Sequence, residues 1–295
     1  MLSILIPIYN FDVVDFVKDL SNQASLCKID YEILCFDDGS VTDFKVKNSE
    51  LATIQGVVYN ELPQNIGRSK IRNLLAENAK YEYLLFLDCD SKTNTATFIK
   101  NYISSAKPNT VVYGGRNYDA TSPQEKEIHF RWWYGIKRET ITVNDRLKQP
   151  YHSFMTNNFL IPKSLFLSIK LDETLQGYGH EDTLFGLELK KRKIYMLHIE
   201  NPLCHIGLES VDEFLQKTRE GVQNLVVLIQ SGKVDNSIKL YRYYGLVKKI
   251  GVENKVLEYY LRNKIKIEQK LKGEKPNLRW FDIYKLGYLI SLMKA

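Results

Sequence analysis

The sequence predicts an α/β protein: a doubly wound, mostly parallel sheet followed by a basic helical extension. Three observations predict it. Short apolar runs alternate with segments of helical periodicity from residue 2 to about 115, the pattern of strands joined by crossover helices. Two of those runs stop abruptly at paired acids, Asp37-Asp38 and Asp88-Cys89-Asp90, and parallel sheets gather ligands beyond the carboxyl ends of their strands. Charge is also uneven: residues 237–295 hold fourteen Lys and Arg against five Asp and Glu, so the net charge of +6 belongs to the tail.

Residues 2–7 read as the first strand, and Val13, Val14, Phe16, Val17 and Leu20 then recur at helical spacing behind Asn10 or Asp12 as the cap. Residues 31–36 form a second strand that ends at Asp37-Asp38-Gly39-Ser40, and residues 55–59 a third. Asn65-Ile66-Gly67-Arg68-Ser69 leads into a helix with Ile71, Leu74, Leu75 and Ala79 on its apolar face. The fourth strand, residues 83–87, is the most apolar and runs into Asp88-Cys89-Asp90. A helix around Phe98, Ile99, Tyr102 and Ile103 and a strand at residues 110–113 complete the alternation.

From 116 to 149 periodicity is lost while His129, Phe130, Arg131, Trp132, Trp133 and Tyr134 cluster. They form either an aromatic platform for sugar rings or ordinary core. An extended segment at 155–162 follows, then Gly177-Tyr178-Gly179-His180-Glu181-Asp182, whose acids open a helix through Leu184, Leu187 and Leu189. Acids in a first helical turn suit the helix dipole, but capping does not require the glycines. A strand at 194–198, Cys204-His205-Ile206-Gly207 and a long amphipathic helix at about 209–231 come next. The predicted units are a domain at 1–232, with one part at about 1–115 and another at about 116–207, and a helical extension at 233–295. Breaks near Gly251 and at Gly273-Glu274-Lys275-Pro276 divide that extension into two or three helices.

Composition excludes several classes. No apolar run reaches membrane-spanning length, and the start, Met1-Leu2-Ser3-Ile4, lacks the basic lead-in of a secretory signal. The cysteines Cys27, Cys35, Cys89 and Cys204 show no Cys-x-x-Cys spacing, so no disulfide framework or zinc site is expected and a reducing, cytoplasmic setting follows. No Gly-x-Gly-x-x-Gly follows the first strand, where Pro7-Ile8-Tyr9-Asn10 stands, which excludes a dinucleotide cofactor. No nucleic-acid partner is expected.

The motifs Ile4-Leu5-Ile6-Pro7-Ile8-Tyr9-Asn10, Asp37-Asp38-Gly39-Ser40, Asn65-x-Gly67 with Arg72-Asn73, Asp88-Cys89-Asp90 and Gly177-Tyr178-Gly179-His180-Glu181-Asp182 stand in one order along residues 1–207, with His205 after them. In that order and spacing the chain resembles the family-2 glycosyltransferases of the GT-A fold. The resemblance implies transfer of a sugar from a nucleoside-diphosphate donor, a UDP-sugar foremost, to a saccharide or lipid-linked saccharide acceptor. It implies a divalent metal, Mn2+ or Mg2+, with Asp90 as direct ligand, Asp88 reaching the ribose or the metal's waters, and His205 as either a further ligand or a buried structural histidine. Pro7, Tyr9 and Asn10 would line the nucleoside pocket, and Asp37 or Asp38 would hydrogen-bond the base. Arg72, or Arg68, would add positive charge or order those acids. Asp182 would be the general base and Glu181 would bind the acceptor or orient the site, with inversion by single displacement.

Two other readings compete. A sugar-nucleotide pyrophosphorylase needs a glycine-rich phosphate loop after the first strand, which Pro7-Ile8-Tyr9-Asn10-Phe11-Asp12 does not offer. A non-catalytic scaffold would not need acids at three strand or helix ends. In the tail, Phe281, Tyr284 and Tyr288 share one helical face. That face would meet the inner surface of a membrane or a partner enzyme, or pack on the protein's own core.

Overall fold

The computed structural model describes residues 1–175, 177–273 and 276–294. Two compact units emerge, one of Met1–Asp119, Arg138–Thr174 and Glu181–Gly207, the other of Ala120–Lys137, Leu175–His180 and Leu208–Ala295. Helix Val211–Gln230, grouped by its sequence with residues 1–207, thus belongs with the C-terminal helices.

The first unit carries ten strands: β1 Leu2–Ile8, β2 Tyr31–Asp37, β3 Val57–Glu61, β4 Tyr83–Leu87, β5 Ser91–Thr93, β6 Thr110–Tyr113, β7 Arg116–Asn117, β8 Asn158–Pro162, β9 Tyr195–His198 and β10 Leu203–His205. Seven of them form one sheet in the order β3-β2-β1-β4-β8-β6-β9. All its neighbours are parallel except β8, which runs against both β4 and β6. The predicted mostly parallel sheet is therefore present, with β8 as the antiparallel exception. The third strand lies two residues later than its apolar run suggested, because Gly56, at φ +80°, is spent on the turn before it.

Apolar side chains cover both sheet faces. On one side Ile4, Ile6, Ile33 and Leu85 pack with Val17, Leu20, Phe98 and Tyr102 from helices Val14–Leu26 and Phe98–Ser105. On the other Leu5, Phe86, Phe159 and Val111 meet Ile71, Leu75, Phe166 and Phe185 from helices Arg68–Asn78, Lys163–Ile169 and Glu181–Lys191. The sheet order reverses at β1, which has β2 on one side and β4 on the other. In open α/β sheets the crevice beyond the strand ends at such a point is where ligands bind. Pro7 is tolerated in this central strand because the β1–β4 ladder has already ended at Leu5 and Phe86.

The three short strands make a second sheet, β5-β10-β7. Its register pairs His205 with Ser91 and Leu203 with Arg116, so segments far apart in sequence reach the end of β4 together.

The second unit is helical. Residues 116–149, where no periodicity was visible, contain the helix Lys126–Tyr134 of this unit and the helix Val143–Lys148 of the first unit. The first of these buries an arginine among its apolar residues: Arg131 Nε donates to Glu209 Oε2 at 2.9 Å, and a paired charge at a core position breaks the apolar pattern. Of its aromatic neighbours Phe130 and Tyr134 are core, since Phe130 lies 5.2 Å from Phe281 and 5.8 Å from Phe214, ring centre to ring centre, and Tyr134 lies 5.2 Å from Phe214. Glycines 177 and 179 are explained the same way. Both take positive φ, and a Cβ at Gly179 would stand 3.1 Å from Gly221 Cα of helix Val211–Gln230, so they permit a close backbone pass.

The tail forms helices Lys239–Lys249, Glu253–Leu271 and Leu278–Lys294, with breaks at Gly251 and before Leu278; Glu274 and Lys275 of the second break lie outside the described residues. The face with Phe281, Tyr284 and Tyr288 is not a membrane-facing surface. Phe281 and Tyr284 are fully buried in the second unit, where Tyr284 OH accepts from Arg219 and donates to Glu268. No helix among the described residues is long and apolar enough to cross a membrane.

Candidate active site

At the ends of β1 and β2 side chains and backbone are tied together by short hydrogen bonds. Asn10 holds a left-handed φ of +50°. Its N–H donates to Ser40 Oγ at 2.8 Å, and its side-chain oxygen accepts from Val41 N–H at 2.9 Å. Asp37 is fully buried and accepts from Ser40 N–H at 2.7 Å. Asp38 accepts from the N–H groups of Ile66 and Gly67 at 2.7 and 3.1 Å, which ties the 64–67 loop over the strand ends. Burial raises the Asp38 carboxyl despite those two donors. Gly39, at φ +77°, could not carry a side chain, since its Cβ would lie 2.6 Å from Asn65 N. Pro7 is buried in β1 and Tyr9 stands about half exposed just beyond it.

The end of β4 carries the greatest density of charge. Asp88 is buried, with Arg72 Nη2 donating to one oxygen at 2.5 Å and Arg116 Nη2 to the other at 3.0 Å. Burial pushes its carboxyl up, but Arg72, Arg68 and Arg116 prevail and hold it below the ordinary carboxylate range. Arg116 also reaches Glu139 at 3.5 Å, and Tyr118 OH donates to that same carboxylate. Arg72 therefore serves the first acid of the Asp-x-Asp pair and makes no hydrogen bond to Asp37 or Asp38.

Asp90 faces His205, with Oδ1 and Nδ1 3.3 Å apart. Burial again acts upward on Asp90, and His205, Arg116 and Arg68 outweigh it, so the carboxylate is held well below its usual range. His205 is 4% exposed, and neither of its ring nitrogens, nor Asp90 Oδ1, has a hydrogen-bond partner. Buried polar atoms left so are unusual and fit a ligand set for a hard or borderline cation. Among the described residues no third His, Cys, Asp or Glu joins the two, which suits an ion completed by phosphate oxygens and water. Gly207 guards the spacing, since a Cβ there would lie 2.5 Å from Asp90 Cβ. If Asp90 and His205 hold a divalent ion, Gly207→Ala is expected to weaken Mn2+ binding about tenfold or more, as supporting substitutions at metal sites do, with the folded state intact by circular dichroism. An unchanged Mn2+ titration would refute the spacing role.

Glu181 and Asp182 open the helix Glu181–Lys191, as their sequence suggested. Arg68 Nε donates to Glu181 Oε1 at 2.6 Å. Burial raises the Glu181 carboxyl and Arg68 more than reverses it, so Glu181 is held low. Asp182 goes the other way: burial, then the adjacent Glu181 charge, pushes it up to about 6. Its Oδ1 accepts from Thr183 N–H at 2.6 Å.

Arg68 and Arg72 lie one turn apart on helix Arg68–Asn78, joined by Arg72 Nη1 donating to the Arg68 carbonyl at 3.0 Å. One holds Glu181 and the other Asp88, and the Arg68 charge is felt by Asp88, Asp90, Glu181 and Asp182 alike. The two acidic pairs therefore belong to one site. Arg116, Glu139, Tyr118 and Asn157 were not singled out from the sequence. Arg116 had a signal, standing after a strand and two glycines. Asn157 had none: it is 2% exposed, its carbonyl accepts from Asp88 N–H, and both of its amide atoms lack partners.

Known proteins share this arrangement of sequence and fold. The pattern of Glycosyl transferase family 2 matches residues 3–168, more than half of the chain. Chondroitin synthase of Escherichia coli is 26% identical over 241 residues, 69% of this chain and 34% of that protein. Poly(ribitol-phosphate) beta-glucosyltransferase of Bacillus spizizenii is 33% identical over 105 residues, 34% of this chain and 16% of that protein. The chain thus spans about a third or less of the length of these relatives. Among solved structures, mannosyltransferase PcManGT from Pyrobaculum calidifontis, in complex with GDP-Man and Mn2+, superposes with a TM-score of 0.62 at 12% identity, over 99% of this chain and 86% of that one. S. aureus TarS 1-349 gives 0.50 at 15% identity, over 99% and 91%. At such identities the likeness bears on the fold alone, and that fold is GT-A. With the family pattern over residues 3–168, which include the strand ends at Asp37-Asp38 and Asp88-Cys89-Asp90, the chain belongs to glycosyl transferase family 2.

Proposed function

We propose that this chain transfers a sugar from a nucleoside-diphosphate donor to a saccharide or lipid-linked saccharide acceptor, with inversion. The observation that carries the reading is the pair Arg68 and Arg72, which draws Glu181 and Asp88 into one site. Pro7, Tyr9, Asn10, Asp37 and Asp38 take the nucleoside, and a carboxylate accepting from a base N–H penalises a wrong base by leaving it unpaired. Arg72 and Arg116 keep Asp88 ionised and leave a lone pair on each oxygen for the ribose or for water. Asp90 and His205 would hold a Mn2+ or Mg2+ ion, whose chemistry when bound is Lewis-acid neutralisation of the charge growing on the leaving diphosphate. Asp182 accepts the proton of the attacking hydroxyl at its carboxylate, and Glu181, fixed by Arg68, orients the acceptor. The names of the two curated relatives, a chondroitin synthase and a poly(ribitol-phosphate) glucosyltransferase, support a polymeric acceptor.

A panel of UDP- and GDP-sugars scored by thermal shift, with and without Mn2+, tests the donor. One nucleotide sugar is expected to stabilise the protein more with Mn2+, by about 2.7 kcal/mol at 100 times its Kd, and to release nucleoside diphosphate slowly without acceptor. A need for pyrophosphate would favour the pyrophosphorylase reading, and no response to any donor would favour the scaffold.

A further inference from the structure

Helix Lys239–Lys249 has two apolar faces, and only one of them is used. Leu240, Tyr241, Tyr244 and Val247 pack into the core of the second unit beside Leu289 and Ile290. At 100° per residue a second side, about a third of a turn round from the first, presents Tyr243, Leu246 and, just past the helix end, Ile250, an i, i+3, i+7 stripe that also carries Lys239, whose Nζ lies 6.0 Å from the Tyr243 ring centre. Tyr243, Leu246 and Ile250 are 46%, 51% and 61% exposed. Arg242 and Lys249 border the stripe and are exposed too. From 237 to 252 there is no acidic residue and there are four basic ones. An ordinary surface helix puts its charged residues outward and its apolar stripe inward. Here large aliphatic and aromatic side chains point into solvent with cations beside them.

We propose that this face docks on an anionic phospholipid bilayer, with Tyr243, Leu246 and Ile250 entering the headgroup boundary and Arg242 and Lys249 on the lipid phosphates. Charge decides the occupant. A second copy seated on the same face would bring two basic borders together without acids to meet them. Nucleic acid would satisfy the cations and leave Leu246 and Ile250 with nothing apolar to bury against, since its surface offers phosphates and stacking faces. A bilayer with anionic headgroups answers both the cations and the aliphatic stripe, which is the pattern of an interfacial helix. The surface is distinct from the face of Phe281 and Tyr284, which is interior. It also stands apart from the proposed reaction, because its test reads binding rather than transfer.

The full chain would be floated with vesicles of phosphatidylcholine alone and with 30 mol% phosphatidylglycerol added, roughly the range where polybasic segments respond to surface charge. Binding is expected only to the anionic vesicles and should weaken between about 0.1 and 0.5 M salt as screening grows. Arg242→Gln with Lys249→Gln should weaken it about 25-fold, from roughly fivefold per cation lost. Leu246→Glu with Ile250→Glu should abolish it while keeping the unfolding midpoint, because both side chains are exposed. Three outcomes would overturn the proposal: no flotation of the wild-type chain, equal binding to neutral vesicles, or wild-type binding by either double variant. Concentration-dependent dimerisation lost in the Glu variant, without vesicle binding, would assign the face to a second copy instead.

Discussion

Asp182→Asn is expected to lower sugar transfer by roughly 10²–10⁴-fold, the usual contribution of a positioned general base, while donor binding stays at the wild-type level. The substitution is nearly isosteric, and the asparagine oxygen can still accept from Thr183 N–H, which donates to Asp182 Oδ1 at 2.6 Å. The pH dependence separates loss of a base from loss of structure. With its carboxyl pushed up to about 6 by burial and by Glu181, wild-type activity should fall below about pH 6 as the base is protonated. The residual activity of the variant should lack that limb. Stability carries the opposite sign. A carboxyl whose folded value lies above its unfolded one favours folding fully below the unfolded value, near 4, and loses that contribution as pH rises through about 6. The wild-type chain should therefore lose some thermal stability between pH 4 and 6.5 at this site, and Asp182→Asn should flatten that part of the profile. Full activity in the variant, or an acid limb that persists in it, would remove Asp182 from the base role.

How far the site could be read in advance follows from which contacts are local. The ends of β2 and β4 were legible because an apolar run that stops at paired acids needs no partner to be recognised. The helix opened by Glu181 and Asp182 was legible for the same local reason. What was not legible came from pairing between distant segments. Arg72, or Arg68, was expected to add positive charge or to order the acids at 37 and 38; four residues along its helix from Arg68, Arg72 reaches Asp88, a choice made by how helix Arg68–Asn78 lies on the sheet. Arg116 arrives through a two-residue strand, too short to carry any periodic signal. The antiparallel β8 reads like any buried strand, because direction leaves no mark on a fully apolar run. In the tail, the face of Phe281 and Tyr284 had the spacing of a membrane helix and of a core helix equally. Partners settled it: Gly287 lets Tyr260 come so close that a Cβ would collide with its ring.

Asp90→Asn is expected to cost about 10²–10³-fold in transfer, on the scale seen when one preorganised group facing developing charge is lost, and to erase the extra thermal stabilisation of the donor complex expected from Mn2+ under the proposed function. The two losses should come together for a physical reason. Asp90 is held well below the ordinary carboxylate range by His205, Arg116 and Arg68 against the effect of burial, so it is an anion at every working pH. An amide in its place keeps the shape and the contact 3.3 Å from His205 but removes the charge a divalent ion requires. His205→Ala should be milder, because a carboxylate with phosphate oxygens and water can still complete an octahedral set. Its mark should be in selectivity: without the imidazole the advantage of Mn2+ over Mg2+ should shrink, since nitrogen ligands favour the former. The contrast between the two variants is what distinguishes a ligand pair from a buried structural contact. If Asp90 and His205 only packed together, each substitution would lower the unfolding midpoint of the metal-free protein and neither would change the ratio of activity in Mn2+ to that in Mg2+. A normal Mn2+ response in Asp90→Asn would end the metal assignment at this strand end.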